Sequence, residues 1–449
     1  MPAPLGAMSQ DTFREESSMI RGMSCLSRGI LYAIAALVLS ASLSRPFSAQ
    51  QPSPGVTAQN LQRARTMLKR IQKDLHGFYY DSTFRGIDID KQFREADSAL
   101  TTAPSNNHMW AIIAQVLENL KDSHTTFYPP NRVASIDYGF GMEVIGDSVY
   151  VARVKKDSDA DKKGLKVGDV VLMLDAFKVD RKGFGTLMYV YHALSPRPGM
   201  RLVVRSPEGQ QREIIAMAKI KDGDRIIDYT NPSTITRLIQ REEAADRAPR
   251  HFWREIGDTV MIWRMPSFFF GDRHNIDEMM DLARKHKALI LDLRNNGGGA
   301  VVTEQYLVSK FFDRKVMIAT TRERKKTDTL FTEPRDKNPF RGLLVVLVNS
   351  GSASASEITA RVLQLEGRAI VVGDRTAGAV MTSIGYGDIV GFDRVAVYGL
   401  SVTVSDVIMA DGNRLEEAGV IPDEIVLPTG ADIAAKRDPA MARALAIAV

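Results

Sequence analysis

Three serines alternate with alanine in Gly351-Ser352-Ala353-Ser354-Ala355-Ser356-Glu357-Ile358. The apolar run before them, Leu343–Asn349, reads as a buried strand, and Ser356–Glu366 reads as a helix stopped by Gly367. A serine at such a junction has its hydroxyl at the carboxyl edge of a sheet, beside free N–H groups and the positive end of a helix dipole. That is the setting of a nucleophile, although the usual elbow spelling is absent. It is equally the setting of a helix cap, for which serine is favoured. A second glycine-rich turn, Asn295-Asn296-Gly297-Gly298-Gly299, follows the apolar run Ala288–Arg294. Consecutive glycines let the backbone approach a ligand closely and turn an N–H inward. A phosphate cradle would want a following Lys-Ser or Lys-Thr, and Ala300-Val301 supplies neither. A serine nucleophile also needs a proton acceptor, usually histidine. The chain holds seven histidines.

These segments imply elements that hold them. From 258 onward strand and helix alternate: strands at 259–265, 288–294, 343–349 and 369–373, with helices at 277–285, 300–312 and 356–366. Continuous apolar strands separated by helices predict βαβ units and a mostly parallel sheet. Strands around 394–403 and 424–427 complete it, and a helix near 432–447 ends the chain. Leu61, Ala64, Leu68, Ile71 and Leu75 recur at three- and four-residue spacing, as do the apolar residues of 110–120, which predicts a small helical subdomain within 50–130. Residues 137–218 change to alternating strands, and 219–257 is charged and mixed, read as a connection into the core at 258–449.

The bulk numbers narrow the class. The 449 residues suffice for two or three domains, and 44% hydrophobic with 25% charged residues is ordinary for a globular protein. The net charge of +5 is too small and dispersed to argue for nucleic acid. Arg21 and Arg28 precede an apolar run at 29–43, and Ser-Arg-Pro-Phe-Ser-Ala follows, ending near Ala49. A positive flank, a short apolar stretch and a small-residue exit predict a signal peptide over 1–49, with 29–43 as a membrane anchor if it is not cut. Translation starting at Met19 or Met23 would suit that leader better than Met1. The only cysteine, Cys25, lies inside it. A chain cut there would have no disulfide, no cysteine nucleophile and no thiolate metal site.

The serine segment, together with Val372-Gly373-Asp374-Arg375-Thr376-Ala377-Gly378-Ala379, resembles the carboxyl-terminal-processing serine peptidases. Lysine-dyad members of that family carry the base where this chain has Ala379, and a methyl group cannot take a proton. Leu120-Lys121-Asp122-Ser123-His124-Thr125 resembles the corresponding segment of the tricorn-type branch, in which a Ser-His-Ser-Glu tetrad replaces the dyad. The resemblance selects Ser354 as nucleophile, His124 as base and Ser123 as its partner. Near the end, Glu416-Glu417-Ala418-Gly419-Val420-Ile421-Pro422-Asp423 resembles the family's closing motif, which makes Glu416 the fourth member, with Glu417 one register away. The glycine turn is similar to the family's oxyanion loop, so that Ala355 and either Gly298 or Gly299 would donate N–H groups. Residues 137–218, with Gly164-Leu165-Lys166-Val167-Gly168-Asp169 in order behind a glycine loop, resemble a PDZ domain. In that reading the backbone of Tyr138, Gly139, Phe140 and Gly141 faces a peptide C-terminus, and the peptide adds as a strand.

The expectation is therefore an α/β protein with a crotonase/ClpP-like βαβ core, an N-terminal helical subdomain and an inserted PDZ domain. The resemblance implies an exported serine peptidase, periplasmic or secreted, that acts on proteins or peptides through an acyl-enzyme. It implies no metal, no cofactor and no nucleic-acid partner, and membrane contact only through the leader if that is uncleaved. The rival reading is a catalytically silent peptide-binding adaptor.

Overall fold

The structure is a computed structural model and describes residues 56–130, 134–222, 251–332, 338–390 and 396–449. The expected leader with Cys25, its anchor segment 29–43 and most of the linker after it lie outside the described residues, as does most of the expected connection. Three helices come first: α1 (Ala58–Phe78), α2 (Ile89–Leu100) and α3 (Asn106–Glu118). Each begins on a side-chain cap, from Thr57, Asp88 and Ser105, that accepts an orphan N–H of the first turn. Of the stripe read from spacing, Ala64, Leu68, Ile71 and Leu75 of α1 are buried and Leu61 is half-buried, and Met67 joins them. A short strand β1 (Thr126–Tyr128) follows.

A separate antiparallel unit comes next. The ribbon of β2 (Ala134–Asp137) with β9 (Lys219–Asp222) forms its neck. Between them lie β3 (Phe140–Ile145), β4 (Ser148–Val154), helix α4 (Asp159–Lys162), β5 (Val170–Leu174), β6 (Phe177–Lys178), helix α5 (Arg181–Tyr189) running into a π-helical turn, β7 (Gly199–Arg205) and β8 (Gln211–Met217). The sheet order is β3-β4-β5-β7-β8, with β6 on β5. It docks against the rest of the chain through Arg181, which bonds to Asp374 and to the Arg375 carbonyl. Asn349 bonds to Glu143 at 2.7 Å, and the Ser350 hydroxyl bonds to the Val144 carbonyl.

The core sheet runs β10 (Phe252–Ile256), β11 (Val260–Arg264), β12 (Ala288–Asp292), β15 (Leu343–Val348), β16 (Ile370–Gly373), β19 (Glu424–Ile425). All neighbours pair in parallel except β10, which lies antiparallel on the edge. Alternate residues point to opposite faces and both faces are covered, so these strands read as unbroken apolar runs. Leu289, Leu291, Val346 and Val371 face α6 (Arg273–Ala283), α7 (Val301–Ser309) and α8 (Ala355–Leu365), whereas Ile290, Val345, Leu347 and Val372 face Ala440 and Ala444.

A second, antiparallel sheet holds β13 (Met317–Arg322), β14 (Thr327–Phe331), β17 (Met381–Val390) and the long β18 (Ala396–Met409). β17 pairs along one side of β18, and β1 pairs with residues 399–401 on the other. The expectation that strand 394–403 would complete the parallel sheet is therefore corrected. The expected connection also runs too long at its end, because 252–256 is a paired strand. The helix expected at 277–285 begins a turn earlier, and the one at 432–447 is two helices, α9 (Gly430–Ala434) and α10 (Pro439–Ala448). The break holds Lys436 with a left-handed φ of 55° and Pro439 at the second start. Among the described residues no helix is long and apolar enough to cross a membrane.

Candidate active site

β15 ends at Val348, and the chain turns through 349–354 into α8. Ser354 sits at that helix mouth with φ 55° and ψ −120°, a left-handed conformation that is costly for a residue with a Cβ. Its N–H is held twice, by the Ala379 carbonyl at 2.9 Å and by Glu357 Oε2 at 3.0 Å. The other two serines are fully buried and committed to the frame: Ser352 Oγ donates to the Leu293 carbonyl at 2.8 Å, and Ser356 Oγ to the Asn296 carbonyl at 2.8 Å. Among the described residues the Ser354 hydroxyl donates to no acceptor. Burial thus separates the middle serine from its neighbours independently of any resemblance.

The glycine turn lies against this elbow. A Cβ on Gly298 would come within 2.7 Å of Ser354 Cβ and 3.0 Å of the Ala355 nitrogen. Asn296, fully buried, organises the turn. Its side chain donates to the Met265 carbonyl at 2.9 Å and accepts the Gly298 N–H at 2.9 Å, and its own carbonyl takes the Ala353 N–H at 3.0 Å. Phe268 clamps the far side, donating to the Gly298 carbonyl and accepting from the Ala300 N–H. Of the two glycines expected as oxyanion donors, Gly298 therefore has its N–H occupied. The N–H groups of Gly299 and Ala355 carry no hydrogen bond among the described residues.

β1 brings the front end to this place by pairing with the middle of β18. Just before it, Asp122 Oδ1 gathers the N–H groups of His124 and Thr125 and the Thr403 hydroxyl, which fixes the turn. Ser123 and Glu416, 293 residues apart, meet there. Ser123 N donates to Glu416 Oε1 at 2.8 Å and Ser123 Oγ donates to Oε2 at 2.9 Å. Ser123 Oγ also lies 2.7 Å from His124 Nδ1. Its single proton goes to the carboxylate, so Nδ1 must be the donor in the second contact. That leaves Nε2 with its lone pair free, the tautomer a base needs. Glu417, one register away, is exposed with φ 62°.

Ser354 and His124 are not hydrogen-bonded to each other in this structure. They are tied through two adjacent residues: the Ala379 carbonyl accepts from Ser354 N, and Val380 N donates to Glu416 Oε2 at 2.8 Å. The segment that lacks a lysine side chain joins the two halves with its backbone. Neither this role nor those of Asn296 and Glu357 was anticipated from the sequence. The signals were an Asn just before the glycines and a Glu three residues into the helix.

Burial pushes the Glu416 carboxyl up, and the Ser123 and Val380 donors pull it back. Burial lowers the His124 imidazole from its ordinary value near 6.5, against the raising field of Asp122. The neutral, basic ring then persists to lower pH than a free histidine. The acid limb of kcat/KM on a peptide substrate should have its midpoint below 6.5, and a midpoint above 7 would contradict this assignment of the ring.

In the antiparallel unit, Tyr138 is buried with its hydroxyl on the Arg197 carbonyl, and Gly139 turns at φ 75° with its N–H on Asp137 Oδ1. Phe140 and Gly141 begin β3, whose far end meets Asn349 and Ser350 just before the elbow. Among the described residues no group of three or more His, Cys, Asp or Glu is arranged to hold a metal ion.

Residues 260–426 match the model of Peptidase family S41. The chain is 30% identical over 341 residues to a carboxyl-terminal-processing protease of a Picosynechococcus species, covering 72% of this chain and 74% of that protein. It is 25% identical over 422 residues to carboxyl-terminal-processing peptidase 2, chloroplastic, of Arabidopsis thaliana, covering 88% and 74%. Its fold resembles the crystal structure of mature CPAF, with a TM-score of 0.63 at 17% identity over 84% of this chain and 95% of that one. A mixed α/β fold of this kind, a serine at the mouth of a helix and sequence similarity along most of the chain lead to one assignment: the chain belongs to peptidase family S41 and is a serine peptidase.

Proposed function

We propose that Ser354 is the nucleophile and that His124, Ser123 and Glu416 form its proton relay, so that the chain cleaves peptide bonds of protein substrates through an acyl-enzyme. Ser354 Oγ attacks the scissile carbonyl carbon while its proton passes to His124 Nε2. The oxygen of the tetrahedral intermediate takes the N–H groups of Ala355 and Gly299. The C–N bond then breaks and His124 returns its proton to the leaving amine. Water repeats the sequence to free the acyl group. Glu416, through Ser123, holds the imidazole in the required tautomer and stabilises its charged form. The observation that carries this reading is the Ser123 hydroxyl, which gives its proton to Glu416 at 2.9 Å and thereby leaves His124 Nε2 unprotonated. Hydrogen bonds of this kind between base and nucleophile often tighten only when substrate is bound.

The core is read here as crotonase/ClpP-like, and residues 137–218 as a PDZ domain that captures a substrate C-terminus beside β3. The reading extends to an exported enzyme whose leader is residues 1–49, followed by a helical subdomain to residue 130 and the peptidase core from the β10 strand onward. The test is labelling by a fluorophosphonate together with hydrolysis of an unstructured protein. Label and hydrolysis in the intact chain, both lost in Ser354→Ala, support the reading. Absence of label under conditions that label a control hydrolase would instead leave a peptide-binding adaptor.

A further inference from the structure

Two glutamates are fully buried on the neighbouring helices that start at the site, and they are treated in opposite ways. Glu304 on α7 has neither carboxyl oxygen hydrogen-bonded, and burial pushes it up to about 8, so it is uncharged at neutral pH. Glu357 on α8 accepts from Thr376 Oγ1 at 2.5 Å, Gly378 N at 2.8 Å, Ala379 N at 2.9 Å and Ser354 N at 3.0 Å. Thr376 Oγ1 itself accepts the Val420 N–H at 2.6 Å, so its own proton points at Glu357. A carboxyl surrounded by donors has no acceptor to which a proton of its own could go. Burial pushes the Glu357 carboxyl up and these four donors pull it back; their geometry fits a carboxylate, and charge-assisted bonds to it are the strong kind.

These bonds converge on the segment that connects the two halves of the site. Ala379 gives its N–H to Glu357 and its carbonyl to Ser354 N; the next residue, Val380, gives its N–H to Glu416. Resting on the catalytic reading above, we infer that Glu357 is a positioning residue: its carboxylate holds Ser354 in its left-handed conformation and, through the 378–380 backbone, sets the Glu416–Ser123–His124 relay in register with it. Glu357 touches no reacting atom. Its work is to keep the nucleophile and the relay at one fixed separation.

A glutamine at this position keeps the volume but turns an NH₂ toward N–H or O–H donors in either orientation. Misplacement of reacting groups by about 1 Å can cost roughly 10²-fold in rate. Glu357→Gln should therefore lower kcat roughly 10²-fold with KM within about twofold, and slow fluorophosphonate labelling of Ser354 in parallel. Weakening the Val380 N–H bond leaves the Glu416 charge less compensated, so the acid limb of kcat/KM should move to higher pH. A residue that only supported the fold would leave that limb where it is. Glu357→Asp, which keeps the charge, should recover about tenfold, and Glu357→Gln with Glu416→Gln together should cost less than the product of the two. If Glu357→Gln does not fold, Thr376→Val removes one donor to the carboxylate, together with the acceptor of the Val420 N–H, and leaves the carboxylate itself; it should lower kcat about tenfold at unchanged KM. A folded Glu357→Gln or Thr376→Val protein with kcat within threefold of wild type and an unmoved acid limb overturns the inference, as does strict multiplicativity with Glu416→Gln. Failure of the catalytic reading is distinguishable, because it shows in the wild-type chain as a Ser354 that takes no label.

Discussion

His124→Ala should lower kcat by roughly 10⁴-fold or more on a peptide substrate while KM moves only a few-fold. In the proposed relay the imidazole is, among the described residues, the group placed to take the serine proton and return it. Asp122 Oδ1 is occupied by the His124 and Thr125 N–H groups and the Thr403 hydroxyl while its Oδ2 is buried away from solvent, Glu416 is turned toward Ser123 and Val380, and Ala379 offers only backbone. No neighbouring side chain replaces the lost base, so the variant should retain only what oxyanion stabilisation and binding supply. Because His124 lies outside the nucleophile's helix, thermal stability should change little compared with the loss in rate. The measurement is single-turnover hydrolysis beside fluorophosphonate labelling. A variant that keeps a tenth of wild-type kcat would place the base elsewhere.

Gly298→Ala should be damaging too, though by less, for a steric reason. Gly298 has φ 93°, and a Cβ there would meet Ser354 Cβ at 2.7 Å, the Ala353 carbonyl at 2.8 Å and the Ala355 nitrogen at 3.0 Å. Two of these atoms belong to the proposed nucleophile and oxyanion donor and the third to the residue just before them, so relief of the clash must displace the groups proposed to act. The opposite face of the turn is closed by Phe268, whose backbone bonds leave no room to retreat. We expect kcat to fall roughly 10²- to 10³-fold, comparable to losing an oxyanion donor, with substrate affinity largely kept. A folded Gly298→Ala enzyme within tenfold of wild type would show that the turn stands off from the reaction. Gly271, also at positive φ but with nothing within 4 Å, is the matched control at which alanine should leave kcat alone.

Much of this site was legible because its parts are local. A buried strand followed by small residues and a helix marks an elbow wherever it occurs, and three glycines after another buried strand mark a close approach. The period of the apolar residues marked the front helices. The choice of Ser354 among three serines, and of His124 and Glu416, came from resemblance, not from spacing. Burial of Ser352 and Ser356 and the Ser123–Glu416 contact are findings of the structure. The β13–β14 hairpin and β17 were not anticipated. β13 and β14 mix threonine and charged residues with apolar ones and β17 carries two glycines, and what makes them strands is pairing with β18 or with each other across the sheet.

The amino-acid order by itself determined the parallel strands of the core sheet and the helices between them, where the backbone must be free to turn, and that position 379 offers no side-chain base. Tertiary structure alone decided which groups meet around that position. Glu416 reaches Ser123 only because β1 pairs with β18, and Ala379 and Val380 matter through a carbonyl and an N–H that every residue other than proline carries. Backbone groups leave no trace in residue identity, and contacts between residues 293 positions apart leave none in local pattern. Both are fixed only when the sheets close and burial obliges each polar group to find a partner.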